Sequence, residues 1–304
     1  MKTFYDSLDE LYTAGDFAAI EKLILDTIAE SPEESPERAG LLNELAGFYK
    51  GVSRHEESEK AFSKALELFE TNGMGATAEY ATVLLNLAGL YRIKGDTDKS
   101  VDLFIRAKGR LEESAGRDSY AYVSVLNNLS LAYQDRNEFE KALEYSEAAL
   151  SMLRAGLGGE HEIAASLNNL SAIRLSLGEL EAADTLISES LMIYESMPEP
   201  DVHHAAALAT KAAVRVRTGD HRGAIDGFRK ALELTRRFFG ENIEYAICKR
   251  NIADVYELIG DTASAVVEME DAVRIMTAIL GEQHQAVVKA REKLEQLVLR
   301  SANN

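Results

Sequence analysis

Six successive segments of the chain carry small residues at three fixed places, separated by twelve and then by seven positions. The segments repeat about every 41 or 42 residues. The three places hold Ala46/Ser58/Ala65, Ala88/Ser100/Ala107, Ser130/Ala142/Ala149, Ser171/Ala183/Ser190, Ala212/Ala224/Ala231 and Ala253/Ala265/Ala272. A period of this length marks a helical or propeller array, and small side chains let two helices approach closely. The pattern therefore predicts stacked units, each of which buries a face against the next.

Turn signals separate the first and second small places in five of the six segments. They read Gly95-Asp96, Asn137-Glu138, Gly178-Glu179, Gly219-Asp220 and Gly260-Asp261. Gly or Asn ends a helix in the left-handed conformation, and an acidic residue favours the start of the next helix. Each segment is therefore predicted to form a helical hairpin, and the connectors between segments are too short to link separate domains.

Large apolar side chains are expected to fill the space around the small residues. Four residues after the second small place lie Phe62, Phe104, Ile187, Phe228 and Met269. Ser146 occupies this place in the third segment. We therefore expect a thinner core there, which the neighbouring Tyr145 fills in part.

The two ends of the chain depart from the repeat. Residues 3–31 are interpreted as a divergent N-terminal hairpin, which turns at Gly15-Asp16. Residues 36–281 hold the six repeats, and residues 283–300 are predicted to form a single C-terminal capping helix. Terminal units need such a cover because their outer apolar faces otherwise meet water. The sequence thus predicts one all-α domain over residues 1–304.

The chain is strongly acidic, with 33 Lys and Arg residues against 51 Asp and Glu residues and a net charge of −18. Such a surface repels phosphate backbones and anionic lipid heads, so neither nucleic acid nor membrane is expected as a partner. The segment Met1–Asp6 lacks the basic start of a secretory signal, and no apolar run approaches the ~20 residues that span a bilayer. Cys248 is the single cysteine, which excludes an internal disulfide. A cytoplasmic location is expected.

The sequence contains no motif that indicates catalysis. Phosphate-loop, Gly-x-Ser-x-Gly and His-Glu-x-x-His patterns are missing. His203 and His204 are adjacent, and neighbouring helical residues point ~100° apart, which is poor geometry for sharing one metal. We therefore predict no catalytic residue, no metal and no cofactor. An enzymatic function stays open as an alternative only through carboxylate side chains that come together in a groove.

The small and large places together resemble the tetratricopeptide repeat. Its signature of Leu, a small residue, Tyr, a small residue, a bulky residue and Ala is matched by Leu87, Ala88, Tyr91, Ser100, Phe104 and Ala107. Leu replaces the Trp that begins the family motif, and the period exceeds the usual ~34 residues. The excess is about two helical turns, so longer helices keep the same buried face.

Two further features are similar to the kinesin light chain type of this repeat. One is a doubled Asn before Leu, at Asn127-Asn128-Leu129 and Asn168-Asn169-Leu170. The other is a Leu-Gly-x-x-His connector, at 157–161 and 280–284. The likeness covers residues 36–284, but no long heptad segment of the sort that joins a kinesin heavy chain is present. We therefore do not interpret the chain as a motor subunit.

The resemblance implies a right-handed superhelical α-solenoid of antiparallel helix pairs, in which one side of each first helix lines a concave groove. Reading that side along the array gives the candidate peptide-binding residues Asn43, Asn86, Arg92, Asn127, Asn128, Leu131, Asn168, Asn169, Arg217, Arg250 and Asn251. An Asn amide both donates to and accepts from a peptide backbone. Inheritance of the Asn residues from a duplicated ancestor is the alternative. A clamp for a C-terminal carboxylate is not expected, because Arg250 is the one basic residue beside this Asn series.

These features predict a non-catalytic scaffold that binds an extended peptide or a partner protein in its groove. Two alternatives stay open. One is a self-associating structural module, with the chain as a monomer or a weak homodimer. The other is a regulatory protein that senses a peptide, although no effector domain is attached to the repeats.

Overall fold

The computed structural model of the chain describes residues 3–198 and 202–302. Within those residues all regular structure is helical, with fifteen α-helices and one π-helical turn at Leu153–Leu157. The α-helices are α1 (Phe4–Ala14), α2 (Phe17–Glu30), α3 (Pro36–Gly51), α4 (His55–Thr71), α5 (Ala78–Ile93), α6 (Thr97–Ser114), α7 (Tyr120–Asp135), α8 (Phe139–Met152), α9 (Glu160–Ser176), α10 (Leu180–Ser196), α11 (Val202–Thr218), α12 (His221–Phe239), α13 (Ile243–Leu258), α14 (Thr262–Leu280) and α15 (Gln285–Ala302). The all-α prediction is confirmed.

The helices form two compact units, one ending at Leu157 and the other beginning at Gly158. In the first unit α1 packs on α2, α3 on α4, α5 on α6 and α7 on α8. In the second unit α9 packs on α10, α11 on α12 and α13 on α14, and α15 covers α14. Each unit is therefore a stack of helical hairpins. That one domain extends over residues 1–304 stays a prediction, and residues 1–2, 199–201 and 303–304 lie outside the described residues.

The small residues of the repeat lie where the two helices of each hairpin touch. All eighteen are at most 1% exposed. At four of the five places that hold Ser, the hydroxyl donates to the backbone of the other helix, as Ser58 does to the Ala46 carbonyl at 2.7 Å and Ser171 to the Ala183 carbonyl at 2.8 Å. The fifth, Ser100, has a buried hydroxyl without a hydrogen-bond partner among the described residues. A hydroxyl is short, so these hydrogen bonds form only because the two backbones are close. The predicted close helix contacts are confirmed.

The large apolar places are filled as the sequence predicts. Phe62, Phe104, Ile187, Phe228 and Met269 are at most 1% exposed. In the third repeat, Ser146 is fully buried and its hydroxyl has no hydrogen-bond partner among the described residues. Tyr145 stacks on the ring of Tyr133, with centroids 5.5 Å apart. The core is thus thinner at Ser146, because a small polar side chain stands where the other repeats place a large apolar one.

The turns inside the hairpins have the predicted backbone. Gly95, Asn137, Gly178, Gly219 and Gly260 all have a positive φ, between 58° and 86°. At three of the five turns the following Asp caps the next helix, as Asp96 does by accepting the backbone N–H of Lys99 at 3.3 Å. Glu138 and Glu179 make no such cap. The longer Glu side chain instead pairs with a nearby cation, at Lys141 and Arg174 respectively.

Ser53 occupies the left-handed turn position of the first repeat, where the sequence has no Gly or Asn. Its φ is 62°. Left-handed backbone costs an ordinary L-residue about 1 to 2 kcal/mol, and Gly avoids most of this cost. We therefore expect Ser53→Gly to raise the free energy of unfolding by about 0.5 to 1 kcal/mol. The remainder of the relieved backbone cost is offset, because Gly has more conformational freedom in the unfolded chain.

The measurement is urea unfolding followed by far-ultraviolet circular dichroism. Gly95→Ala, at the same position of the next hairpin, is the matched control and should lower the free energy of unfolding, since Gly95 has a φ of 79°. A Ser53→Gly protein that is no more stable than the wild type would show that the turn is not strained.

The last helix begins two residues later than predicted, at Gln285 and not at Gln283. The reason is a turn at Gly281–His284, in which the His284 N–H donates to the Gly281 carbonyl at 3.3 Å. The Nδ1 atom of His284 then accepts the N–H of Ala286 at 3.2 Å. His284 therefore caps α15, which buries Leu297 and two smaller residues of the same face.

Candidate functional site

The first helices of the hairpins in the first unit form one polar surface. Helix α5 lies between α3 and α7. The amide nitrogen of Asn86 on α5 donates to the amide oxygen of Asn43 on α3 at 3.0 Å. Arg92 on α5 pairs with Asp135 on α7, with 3.1 Å between nitrogen and oxygen. Side chains from three helices therefore meet on the face that carries the candidate residues of this unit.

The doubled Asn of α7 adds an acceptor to this surface. Asn128 is held by its own helix, because its amide nitrogen donates to the Ser124 carbonyl at 2.9 Å. The amide oxygen of Asn127 is buried and has no hydrogen-bond partner among the described residues. Leu131, one turn further along α7, is half-buried. A buried polar atom without a partner is uncommon in proteins, so the Asn127 oxygen marks a place where a donor is missing.

Two half-buried charged side chains of α3, Glu44 and Lys50, lie on the same surface and are not among the candidate residues selected from the sequence. Burial lowers the pKa of the Lys50 ammonium and raises the pKa of the Glu44 carboxyl, while the Asn43 amide partly opposes the second effect. Lys50 forms no ion pair with a described residue, and its ammonium lies beside Gly89 of α5. Lys50 follows Asn43 by seven residues, which is two helical turns. That spacing is the one signal from which its position was predictable.

The second unit repeats the Asn127 feature at Asn168. The amide oxygen of Asn168 on α9 is also buried without a hydrogen-bond partner in the part of the chain that the structure describes. Its amide nitrogen makes a long contact of 3.5 Å to the amide oxygen of Asn169. Asn127 and Asn168 are equivalent places in successive repeats. The same unused acceptor is thus present in both units.

A cleft of about 350 Å³ in the second unit brings further candidate residues together. It is lined by Leu175, Ser176, Ala213, Val216, Arg217, Phe228, Asn251, Asp254 and Val255. Arg217 and Asn251, on α11 and α13, were predicted from the sequence. Burial raises the pKa of the Asp254 carboxyl, which Lys293 and Arg250 partly oppose. The cleft therefore joins apolar walls to one exposed guanidinium, one amide and one half-buried carboxyl.

The cations of the candidate set differ in how far they are neutralised. Arg92 is paired with Asp135, and Arg250 lies near Asp254. Arg217 is exposed and makes no ion pair within residues 3–198 and 202–302. Glu257 is occupied by Lys293 and Arg300, so it does not compete for Arg217. Lys50 and Arg217 are therefore the cations that a ligand carboxylate meets without displacing a partner.

The adjacent histidines His203 and His204 and the cysteine are engaged in contacts within the second unit. The His203 ring contacts His161 edge to face, with centroids 5.1 Å apart, while His204 stacks on Tyr194 at 5.7 Å. Adjacent histidines thus point to different partners, as the helical geometry predicts. Burial raises the pKa of the Cys248 thiol to about 12, so the thiol stays protonated at neutral pH. No described helix is both long and apolar enough to cross a bilayer.

The chain was compared with known families and structures. Residues 37–113, 79–155, 122–196 and 204–278 each match the tetratricopeptide repeat. No curated protein matches the chain. The Cut9–Hcn1 hetero-tetramer of the APC/C is similar with a TM-score of 0.67 and 15% identity, over 94% of this chain and 48% of that one.

Two other solved structures are similar along most of their own length. A putative kinesin light chain from Podosopora anserina, with nearly identical TPR-like repeats, has a TM-score of 0.56 and 15% identity, over 67% of this chain and 98% of that one. A Rap protein complexed with competence and sporulation factor has a TM-score of 0.59 and 13% identity, over 99% of this chain and 98% of that one. Identities this low show the fold alone.

The repeat matches extend through α3 to α14, the same helices whose small residues touch in pairs. Repeats of this type indicate a scaffold for protein–protein interaction. By its repeats and by its helical hairpins, the chain belongs to the tetratricopeptide repeat family.

Proposed function

We propose that the chain is a non-catalytic scaffold that binds an extended peptide, or an extended segment of a partner protein, on the first-helix faces of its hairpins. The observation that carries this proposal is a buried amide oxygen in each unit, at Asn127 in the first and at Asn168 in the second, neither of which has a hydrogen-bond partner among the described residues. A peptide backbone supplies N–H donors at regular intervals, and burial makes an unused acceptor costly until such a donor arrives.

Charge and shape support the first-helix faces within each unit. Lys50 in the first unit and Arg217 in the second form no ion pair with a described residue, so acidic side chains of a ligand find a complement at either place. The cleft of about 350 Å³ beside Arg217 has half-buried apolar walls of Leu175, Ala213 and Val216. Its size and lining suit one apolar side chain of the ligand. The ligand is therefore an extended segment that combines acidic and apolar residues.

The similar structures agree with such a role. Cut9–Hcn1 is a hetero-tetramer, and the Rap protein is in a complex with competence and sporulation factor. A peptide-sensing regulatory protein is the second candidate function, because the likeness to the Rap protein extends over 99% of this chain. A cytoplasmic location, and a monomer or weak homodimer, stay predictions.

The test begins with affinity capture by the full chain and identification of the partner by mass spectrometry. The double variant Asn127→Ala with Asn168→Ala is then measured against the identified partner by isothermal titration calorimetry. We expect an affinity loss of at least about tenfold, which corresponds to the cost of losing strong interface contacts. Gln296→Ala removes an amide from an exposed place on α15 and should leave the affinity unchanged.

Stability separates this proposal from a purely structural role of the two residues. A buried acceptor without a partner gives no net stabilisation, so its removal should leave the free energy of unfolding unchanged or slightly higher. If the double variant instead unfolds more easily and binds the partner as the wild type does, the Asn residues belong to the core and the proposal is wrong.

A further inference from the structure

The outer face of α12 differs in charge from the same face of every other second helix in the repeats. The face is defined by seven places, counted from the second small residue of each repeat, which is Ala224 in α12. They are position −2 and positions +2, +5, +6, +9, +12 and +13. In α12 they hold Arg222, Asp226, Arg229, Lys230, Glu233, Arg236 and Arg237. Five basic and two acidic residues give a charge of +3. The same seven places carry between −1 and −3 on α4, α6, α8, α10 and α14.

The basic side chains of this face are available to a partner. All seven residues are exposed. Among the described residues, none of the five cations forms an ion pair, although the chain as a whole is acidic; Arg229 donates a hydrogen bond of 2.8 Å to the hydroxyl of Tyr256. Lysines and arginines on the other second helices are mostly paired, as Lys64 is with Glu67. The face of α12 therefore holds positive charge that the fold leaves unneutralised.

Apolar surface lies directly beside these cations. A shallow cleft of about 460 Å³ is lined by Arg229, Leu232, Glu233, Arg236, Arg237 and Tyr245. Leu232 and Tyr245 are 8% and 9% exposed and form its apolar side. Phe238 and Phe239, at the end of α12, are 36% and 57% exposed. Arginine and aromatic residues are the types that contribute most to binding energy at protein interfaces.

We propose that the outer face of α12 docks an acidic segment of a partner protein, with an apolar or aromatic side chain of that segment seated between Leu232 and Tyr245. The charges are complementary, since an acidic segment neutralises cations that form no ion pair within residues 3–198 and 202–302. This surface belongs to a second helix, so the proposal is independent of the first-helix surface proposed above.

The surroundings favour a short protein segment over nucleic acid. Helix α12 has 19 residues, which corresponds to about 28 Å at ~1.5 Å per residue. Glu233 lies among the arginines, and the equivalent faces of α10 and α14 are acidic. An extended phosphate backbone meets repulsion there, whereas a peptide has N–H groups for the Glu233 carboxylate.

The test uses the full chain and synthetic fluorescent peptides, measured by anisotropy. The probe is a Glu-rich peptide with one central Phe. Its controls are the same peptide with Ala for Phe, a Lys-for-Glu version and a single-stranded oligonucleotide of equal charge. We expect the Phe peptide to bind, the Ala peptide to bind several-fold more weakly, and the affinity of both to fall as salt rises. Any binding of the Lys peptide to this acidic chain should be unaffected or strengthened when cations of α12 are removed.

The double variant Arg229→Gln with Arg236→Gln removes two cations from the cleft. It should lower the affinity for the Phe peptide at least about tenfold. The matched control is Lys60→Gln with Lys64→Gln on the outer face of α4, where the residues are equally exposed, and its affinity should equal that of the wild type. Circular dichroism checks that both variants keep their helices.

Four results would overturn the proposal: no binding of the Phe peptide, equal binding by both double variants, oligonucleotide binding as tight as peptide binding, or a wild-type dimer that the α12 substitutions dissociate. The third result would identify a general polyanion site. The fourth would identify a second copy of this chain as the occupant.

Discussion

Replacing Phe228 with Ala is expected to lower the free energy of unfolding by about 3 to 5 kcal/mol. The Phe228 ring is 1% exposed and lies in the core of the second unit with Ala212, Ile225 and Met269. Truncation removes the transfer energy of the ring and leaves a cavity that α11, α12 and α13 close only in part. The effect is large because each hairpin of a repeat array depends on its immediate neighbours.

The measurement is urea unfolding, followed both by circular dichroism and by tyrosine fluorescence. Two probes are needed because a repeat array that is weakened at one hairpin can unfold in two steps. Phe17→Ala is the control: Phe17 is 56% exposed, and its loss should change the free energy of unfolding by less than about 0.5 kcal/mol. A change below about 1 kcal/mol for Phe228→Ala would contradict the packing described for this unit.

Replacing Gly227 with Val is expected to lower the free energy of unfolding by about 2 to 3 kcal/mol. Gly227 of α12 is buried against α11, and a Cβ atom added there lies 3.0 Å from the Cβ of Ala212. Val places three carbons in this contact, so α11 and α12 must move apart. The separation then disturbs the neighbouring small residues, which hold the same two helices together.

Gly109→Val is the matched control for this substitution. Gly109 lies within α6, and a Cβ atom added there has no heavy atom within 4 Å. Val is a better helix former than Gly by a few tenths of a kcal/mol, so Gly109→Val should leave the protein as stable as the wild type or slightly more stable. Equal destabilisation by both substitutions would attribute the effect to the Val side chain itself and not to the contact with Ala212.

The candidate surface was predictable to the extent that helix periodicity decides it. Asn86 of α5 meets Asn43 of α3 and Arg92 of α5 meets Asp135 of α7, because the repeat places corresponding faces of successive first helices side by side. Periodicity does not decide which charges are neutralised. Arg92 is paired with Asp135, 43 residues away, while the half-buried Lys50 lies beside Gly89 and forms no ion pair with a described residue. Such contacts between helices depend on how neighbouring hairpins stack.

The basic face of α12 likewise combines a feature that the sequence shows with features that only the structure shows. Its five cations are visible in the sequence, and comparison of equivalent places shows that no other repeat has them. What the sequence lacks is any sign that they stay unpaired, since acidic residues are abundant throughout the chain. The structure shows that no described carboxylate comes within ion-pair distance, and that Leu232 and Tyr245 provide an apolar side to the same cleft.

By itself, the sequence of this protein determined the helices, their pairing into hairpins and the residues at which paired helices touch. These features follow from local geometry, because a helix advances by a fixed angle per residue and a left-handed turn selects Gly or Asn. Only the tertiary structure decided that Ser53 takes the turn where no Gly is present. The structure also decided that, among the described residues, no donor reaches the buried oxygens of Asn127 and Asn168, and that Lys50, Arg217 and the α12 arginines form no ion pair there. Those facts depend on distances between atoms far apart in the chain, which packing sets and periodicity does not encode.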